Sequence, residues 1–438
     1  MEKKREGFKS NIGFILACIG SAVGMGNIWL FPYRAGEFGG AAFLIPYIFF
    51  VVLLGISGMA GEMAFGRSMK SGPYGAFVKS FKQRNIKGGK IVGCIPVVGS
   101  FGIAIGYSVV VGWFIKYLID SCSGALMDIT NIEAYFGKIS APLKNVPLHI
   151  LGMVITFIIM ALGVSKGIEQ VNKYLMPCFY GIFFLLMIYV AFLPDSVRGY
   201  KYLFVPQWDS LKNVKTWVYA LGQAFFSLSI GGSGTVVYGS YLNDNVDVIK
   251  CAKKVALFDT LAAVLASVVI IPAIFSFQGN VTSGPALMFI SLPSVFQKMP
   301  FGRIIAIVLF LAVLVAAITS LINLFETPIE TMQSNFGLSR KNSVLIIAFI
   351  AIPISILIED ANIVGLWMDL VSIYIIPLGA LLAAITFFWI CPKNFARREI
   401  QKGRMKTIGP WFEFVTKYWF VFTIFLVYIL GIFYGGIG

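Results

Sequence analysis

The chain has 438 residues, 58% of them hydrophobic and 13% charged, with a mean hydropathy of +0.84. So little polar surface cannot cover that apolar mass in water, which excludes a soluble domain and requires a polytopic membrane protein. The net charge of +15 does not point to nucleic acid, because the basic residues collect in alternate loops.

Hydrophobic runs near or above the roughly 20 residues that span a bilayer fall at 12–36, 40–66, 91–119, 148–163, 168–193, 216–238, 255–276, 302–328, 343–358, 363–391 and 412–435. This predicts eleven spans. Counted from a cytoplasmic N-terminus, the inside loops carry Lys3, Lys4, Arg5 and Lys9, then Arg67 to Lys90, Lys250 to Lys254, Arg340, Lys341 and Arg397 to Lys406, while the outside loops hold far fewer. Positive-inside bias therefore sets the N-terminus in the cytoplasm and Gly438 outside. The six cysteines are scattered without a CxxC pair, so neither a disulfide framework nor a metal site is expected. The stretch before Ile12 is too polar for a cleaved signal peptide.

The first span is interrupted at Gly20-Ser21-Ala22-Val23-Gly24-Met25-Gly26-Asn27. Small residues at helical spacing can serve close packing, but they also weaken a helix, and the backbone groups a break frees at membrane depth must be buried or line a cavity. A second run of this kind, Ser227-Leu228-Ser229-Ile230-Gly231-Gly232-Ser233-Gly234, interrupts the sixth span. Two interrupted helices at corresponding places in two halves point to a transporter site.

Other polar residues lie inside apolar runs. Glu62, near the end of the second span, is a carboxylate that either bonds a broken helix or balances a bound cation. Tyr107, midway along the third, needs a partner for its hydroxyl, either backbone or ligand. His149, at the start of the fourth span, reads as interfacial, and the connection 120–147 carries no evident chemistry. Asp259 in the seventh span must be protonated or near a cation. The outside loop 277–300, with Gly284-Pro285-Ala286, is long enough to form a lid. Thr319-Ser320 sit mid-span in the eighth, Trp367-Met368-Asp369 near the outer end of the tenth, and the eleventh carries no buried polar residue and reads as peripheral.

Gly20 to Pro32 with Glu37-Phe38-Gly39-Gly40, the turn Ser165-Lys166-Gly167-Ile168-Glu169, Gly222 to Ser229, and Thr319-Ser320 together resemble the neurotransmitter:sodium symporter family, in its eleven-span bacterial amino-acid branch. The resemblance covers spans one to ten. It implies an all-α, leucine-transporter-like integral membrane fold: a 5+5 inverted repeat with discontinuous first and sixth helices, plus an eleventh span. The first repeat would occupy 1–193, the second 194–391, and a basic loop with the eleventh span 392–438.

The function it implies is sodium-coupled import of an amino acid by alternating access at a bacterial inner membrane, without enzymatic activity. The alternatives are another hydrophobic amino acid, or a sensor that binds without transporting. By position, sodium 1 would use Ala22, Asn27, Ser227 and Asp259, and sodium 2 would use Gly20, Val23, Ala316, Thr319 and Ser320. The substrate would meet Ala22, Met25, Gly26, Ile103, Tyr107, Phe226, Ser227, Ser229, Gly232, Ser320 and Leu324.

Gly232 replaces a bulkier residue of leucine-type relatives, which suggests room for a ring and hence L-tyrosine first. Asp259 stands where relatives have Asn, and Ala263 lacks their polar group near chloride, so chloride is expected to be dispensable, with proton counter-movement on the empty return as a further option. Gates would involve Arg5, Tyr107, Phe226, Tyr241 and Asp369, with Ser240 beside Tyr241. Two positions depart from the pattern: Leu30 replaces the outer-gate arginine, leaving Arg34 as a substitute, and Ser334 replaces the inner-gate acid.

Overall fold

The computed structural model describes residues 7–278 and 287–437. Hydrocarbon offers no partner for backbone N–H and C=O groups, so each apolar run closes its own hydrogen bonds as helix. Among the described residues, eight helices are long and apolar enough to cross a bilayer, and Asn11–Ala22 with Gly26–Glu37 makes a further span bent by 53°. Two more complete the eleven: the shorter apolar helix Val146–Ala161 and a sixth span divided into Val214–Ser227 and Gly234–Ser240.

The broken spans are held by continuous ones. The third span, Gly89–Ser123, packs along the eighth, Gly302–Phe336, and the seventh, Val248–Ser276, crosses both halves of the first. Gly66 and Gly239 let the second span and the inner half of the sixth approach backbone to backbone, the usual role of small residues between membrane helices. Glu169, from the turn after the fourth span, fastens the start of the first: its carboxylate accepts from Lys9 N (2.7 Å), Ser10 N (3.2 Å) and Ser10 Oγ (2.8 Å). An anion at a helix N-terminus satisfies otherwise orphan donors and the helix dipole together.

The connection after the seventh span departs from the sequence reading. Gly284-Pro285-Ala286 lies outside the described residues, but Leu287–Ser291 and Leu292–Lys298 are helical. Phe289 there is fully buried, stacks on Phe136 at 4.9 Å and meets Trp29 and Trp113 edge-on. Gln297 Nε2 donates to the carbonyls of Leu126 and Ile129 (both 2.8 Å). The connection 120–147 is therefore packed structure that carries the loop after the seventh span.

His149 is not interfacial. It is buried, with Nδ1 3.2 Å from Glu359 Oε1 and Nε2 3.2 Å from Ser355 Oγ, joining the fourth span to the turn between the ninth and tenth. In the eleventh span Thr416 and Thr423 are buried, contrary to expectation, and each bonds back to its own helix, at Phe412 O and Trp419 O. That span is still peripheral, with 33% of its most apolar stretch buried against 61% for the tenth.

Candidate functional site

The first break begins where Val23 leaves helical geometry (φ −73°, ψ 105°) while its N–H still closes on Ile19 O at 2.7 Å. Helix resumes at Gly26. In the second break Ser229 and Gly232 take left-handed φ values of +53° and +66°. The breaks meet: Ser229 Oγ donates to Ser21 O at 3.0 Å, and Glu62 from the second span accepts from Gly232 N at 2.7 Å. Of the two roles the sequence left open for Glu62, the bond to a broken helix is present.

Around the first cluster, Asn27 Nδ2 donates to Asp259 Oδ1 (2.7 Å), Asp259 O (3.0 Å) and Ser227 Oγ (3.1 Å). Ser227 Oγ donates to Asp259 Oδ2 at 2.7 Å, and Tyr47 OH lies 3.4 Å from the same oxygen. Asn27 Oδ1 accepts from Gly24 N at 3.0 Å, and Gln223 Nε2 donates to Gly26 O at 3.0 Å. Three spans thus bring Asn27, Ser227 and Asp259 to one buried point, with Ala22 buried at the start of the break.

A second cluster joins the other end of the break to the eighth span. Ser320 Oγ lies 3.3 Å from Gly20 O and 3.2 Å from Val23 O, and Thr319 Oγ1 lies 2.9 Å from Ala316 O. A Cβ on Gly20 would come within 3.1 Å of Thr319 Cβ and would collide with Asn172 Oδ1. Asn172, on the fifth span, went unnoticed in the sequence. Its Nδ2 bonds its own turn at Ile168 O (2.8 Å), whereas Oδ1 is buried without a hydrogen-bond partner beside Gly20. An orphan buried oxygen among carbonyls and hydroxyls belongs to the donor set a hard cation favours.

Between the clusters lies the proposed substrate region. Tyr107 OH accepts from Met25 N at 3.1 Å, so the backbone alternative for its hydroxyl is realised at the break itself. Ile103, Tyr107, Phe226, Ser229, Leu324 and Gly26 keep accessible surface while Ala22, Met25, Ser227 and Ser320 are buried. Partly exposed side chains at the centre of a buried bundle mark a lined space. Nothing lies within 4 Å of a Cβ on Gly26, so that side is open.

Gly232 behaves differently from the expectation. A Cβ there would meet Gly379 O at 2.5 Å and Ala383 Cβ at 3.0 Å. Its missing side chain is demanded by the positive φ and by close contact with the tenth span, and the steric argument that it leaves room for a ring fails.

The profile of the Sodium:neurotransmitter symporter family matches residues 5–138 and 130–434. The chain belongs to that family. It is a sodium-dependent transporter and not an enzyme. A sodium-dependent transporter of Bacillus subtilis, YhdH, is 33% identical over 92% of each chain. Another, MJ1319 of Methanocaldococcus jannaschii, is 30% identical over 94% of this chain and 87% of its own. Among solved structures, a crystal structure of MhsT in complex with L-phenylalanine superposes with a TM-score of 0.86 at 32% identity, covering 97% of this chain and 99% of that one.

The regions expected to gate the symporter are built partly from residues that sequence reasoning missed. Arg5 lies outside the described residues. Tyr241 OH donates to Glu326 Oε1 at 2.6 Å, and Arg340 grips the same buried carboxylate through Nη1 (2.6 Å) and Nη2 (2.7 Å). Ser334 Oγ donates to Glu330 Oε1 at 2.5 Å. Two acids therefore stand one and two turns before Ser334, on a span that continues to Phe336 rather than stopping near 328. Two carboxylates four residues apart in an apolar helix were the available signal.

At the other end of the site Arg34 bonds Glu37 Oε2 (2.9 Å) and lies over the Tyr219 ring (4.0 Å), yet it lines the same small cavity, about 170 Å³, as Asp369 and Phe226. It therefore faces the gate region from a different anchor.

Proposed function

We propose that this symporter imports an amino acid, aromatic and L-tyrosine first, together with two sodium ions, by alternating access and without chloride. The observation that carries the reading is the convergence of both helix breaks with Asp259, Asn27, Ser227, Thr319 and Ser320, which supplies two sets of hard oxygens flanking one lined space. Sodium 1 takes Ala22, Asn27, Ser227 and Asp259, and sodium 2 takes Gly20, Val23, Ala316, Thr319 and Ser320. Both ions are cargo.

A half-helix N-terminus favours a carboxylate and a half-helix C-terminus favours a cation. The substrate carboxylate accordingly docks at Met25, Gly26 and Tyr107, and its amine at the carbonyl side of Ala22, Phe226, Ser227 and Ser229. Ile103, Phe226, Ser229, Ser320 and Leu324 line the side-chain space, with Gly232 serving the backbone around it. Support for an aromatic side chain rests on the L-phenylalanine in MhsT. Sodium entering the first cluster exchanges the Asn27 and Ser227 donors for its own attraction to Asp259, ordering both breaks around the substrate, which is how coupling arises. Asp259 contacts Tyr47 and Ser227, and its carboxylate supplies the fixed negative charge that makes chloride dispensable.

We place the repeats at 1–193 and 194–391, the N-terminus in the cytoplasm, the C-terminus outside and the chain in a bacterial inner membrane. The test is equilibrium binding of labelled tyrosine to the purified protein against sodium, in chloride and in gluconate. Binding that rises with sodium and is indifferent to the anion is expected. Binding that collapses in gluconate removes the role given to Asp259.

A further inference from the structure

One cavity lies away from the transport site, at the face where the basic loops gather. It holds about 320 Å³ and is lined by Arg84, Lys393, Arg397 and Lys417, with Glu413 and Cys391 as the other titratable groups. Its walls come from Arg84 at the end of the helix after the second span (Pro73–Gln83), from the end of the tenth span with the turn and short helix (Phe395–Gln401) that follow, and from the start of the eleventh.

Positive-inside charges that serve topology alone point into water, each on its own. Here four cations converge on one hollow against one carboxylate, a net of 4 − 1 = +3. Among the described residues none of the four has a carboxylate within 4 Å. Arg397 Nη2 donates to Ile408 O at 2.8 Å, which fixes its guanidinium in the wall. Lys417 is likewise placed, its ammonium 5.6 Å from the Trp389 ring and 5.9 Å from the Tyr418 ring, while Trp389 Nε1 donates to Lys417 O at 2.8 Å.

The surroundings show which anion suits the hollow. Trp389, half exposed, lines it, and Trp411, Phe414 and Trp419, on the same span as the lining residues Phe412, Glu413 and Lys417, are each at least half exposed; exposed Trp beside Lys and Arg is the composition of the membrane–water interface. Phe387, Phe388 and Phe412 supply apolar wall behind the cations. A soluble anion needs the charge and has no use for the aromatic rim. A phospholipid uses both, headgroup phosphate among the cations and acyl chains along the rim.

We propose that this cavity binds the headgroup of an acidic phospholipid from the leaflet on the basic side, joining the first repeat to the eleventh span. The assignment rests on the proposed orientation only for which leaflet supplies the lipid.

The test uses the full chain, purified and delipidated, titrated with dioleoylphosphatidylglycerol, with dioleoylphosphatidylcholine and with inorganic phosphate, with bound lipid counted by native mass spectrometry. One phosphatidylglycerol retained per protomer, with phosphatidylcholine lost, is expected. Arg84→Gln/Lys393→Gln, two exposed side chains without ionic partners, is expected to weaken phosphatidylglycerol binding about 10- to 30-fold, since each basic residue near an anionic surface counts for roughly a factor of five. Lys87→Gln/Lys90→Gln, which removes equal charge from the same loop outside the cavity, should leave binding unchanged.

Equal retention of both lipids, or equal loss in both double variants, would overturn the site in favour of diffuse attraction. Displacement of phosphatidylglycerol by 10 mM phosphate, with phosphate itself raising the melting temperature, would assign the cavity to a soluble anion instead. Sodium-dependent tyrosine binding, measured on the same samples, keeps a failure of the transport reading separate from a failure of this one.

Discussion

Replacing Asp259 by Asn keeps the shape of the first cluster and removes its charge. The carboxylate is fully buried and held by Asn27 at 2.7 Å, Ser227 at 2.7 Å and Tyr47 at 3.4 Å. At an effective dielectric of about 20, a monovalent cation about 4 Å away gains about 4 kcal/mol from such a charge. At about 1.4 kcal/mol per decade that approaches a thousandfold in affinity.

Part of the gain is offset because Asn also relieves the cost of keeping a charge out of water. The expected net loss in sodium affinity is therefore about 30- to 300-fold. Sodium titrations of labelled-tyrosine binding, run in chloride and in gluconate, measure it directly. We expect the variant to bind better in chloride, which can replace the lost charge. A half-saturating sodium concentration within threefold of the parent in both anions would refute the assignment of Asp259 to the ion site.

Other substitutions probe separate parts of the account. Tyr107→Phe removes the hydroxyl that meets Met25 N and should weaken tyrosine binding about tenfold, in line with a hydrogen bond to a charged group, while leaving the melting temperature nearly unchanged. Glu326→Gln removes the charge that Arg340 grips through both terminal nitrogens; breaking a buried ion pair costs about 3–5 kcal/mol, so melting in detergent should fall sharply, with partial recovery in Glu326→Gln/Arg340→Gln. Gly232→Ala should reduce binding of aromatic and aliphatic amino acids alike, because the added Cβ strikes Gly379 and strains the backbone; a selective loss of aromatic binding would contradict this.

Glu359, in the turn between the ninth and tenth spans and facing His149, is pushed up to about 7 by burial, from 4.5. The folded chain then holds a proton that the unfolded chain releases. That stabilisation is fully present below about pH 4.5 and is lost as pH rises through about 7. Melting temperature should fall as pH rises from about 6.5 to 7.5, and Glu359→Gln should remove that fall.

The spans, both breaks and the polar residues around them were legible because membrane helices leave little ambiguity: twenty apolar residues announce a span, and Gly, Ser, Asn or Asp inside one must be accounted for. Asn27, Ser227 and Asp259 meet for that reason. What was not legible depends on which neighbour a residue faces. Gly232 looked like absent bulk in a pocket, whereas its φ and the approach of Gly379 explain it. Asn172 and Arg340 had no local pattern to mark them, since their partners lie on other spans. His149 looked interfacial because Glu359 and Ser355 are more than 200 residues away in sequence. Phe289 was read as loop because its core is made of rings from the first and third spans and the connection after the third.

The central claim is coupled transport, and the most direct measurement is uptake of labelled tyrosine into proteoliposomes under an inward sodium gradient, with phenylalanine, leucine and GABA as competitors. The account predicts accumulation above equilibrium that collapses when the gradient is dissipated and is blocked by phenylalanine but not by GABA. Sodium-dependent binding with no accumulation would contradict it and make the protein a sensor on a transporter scaffold.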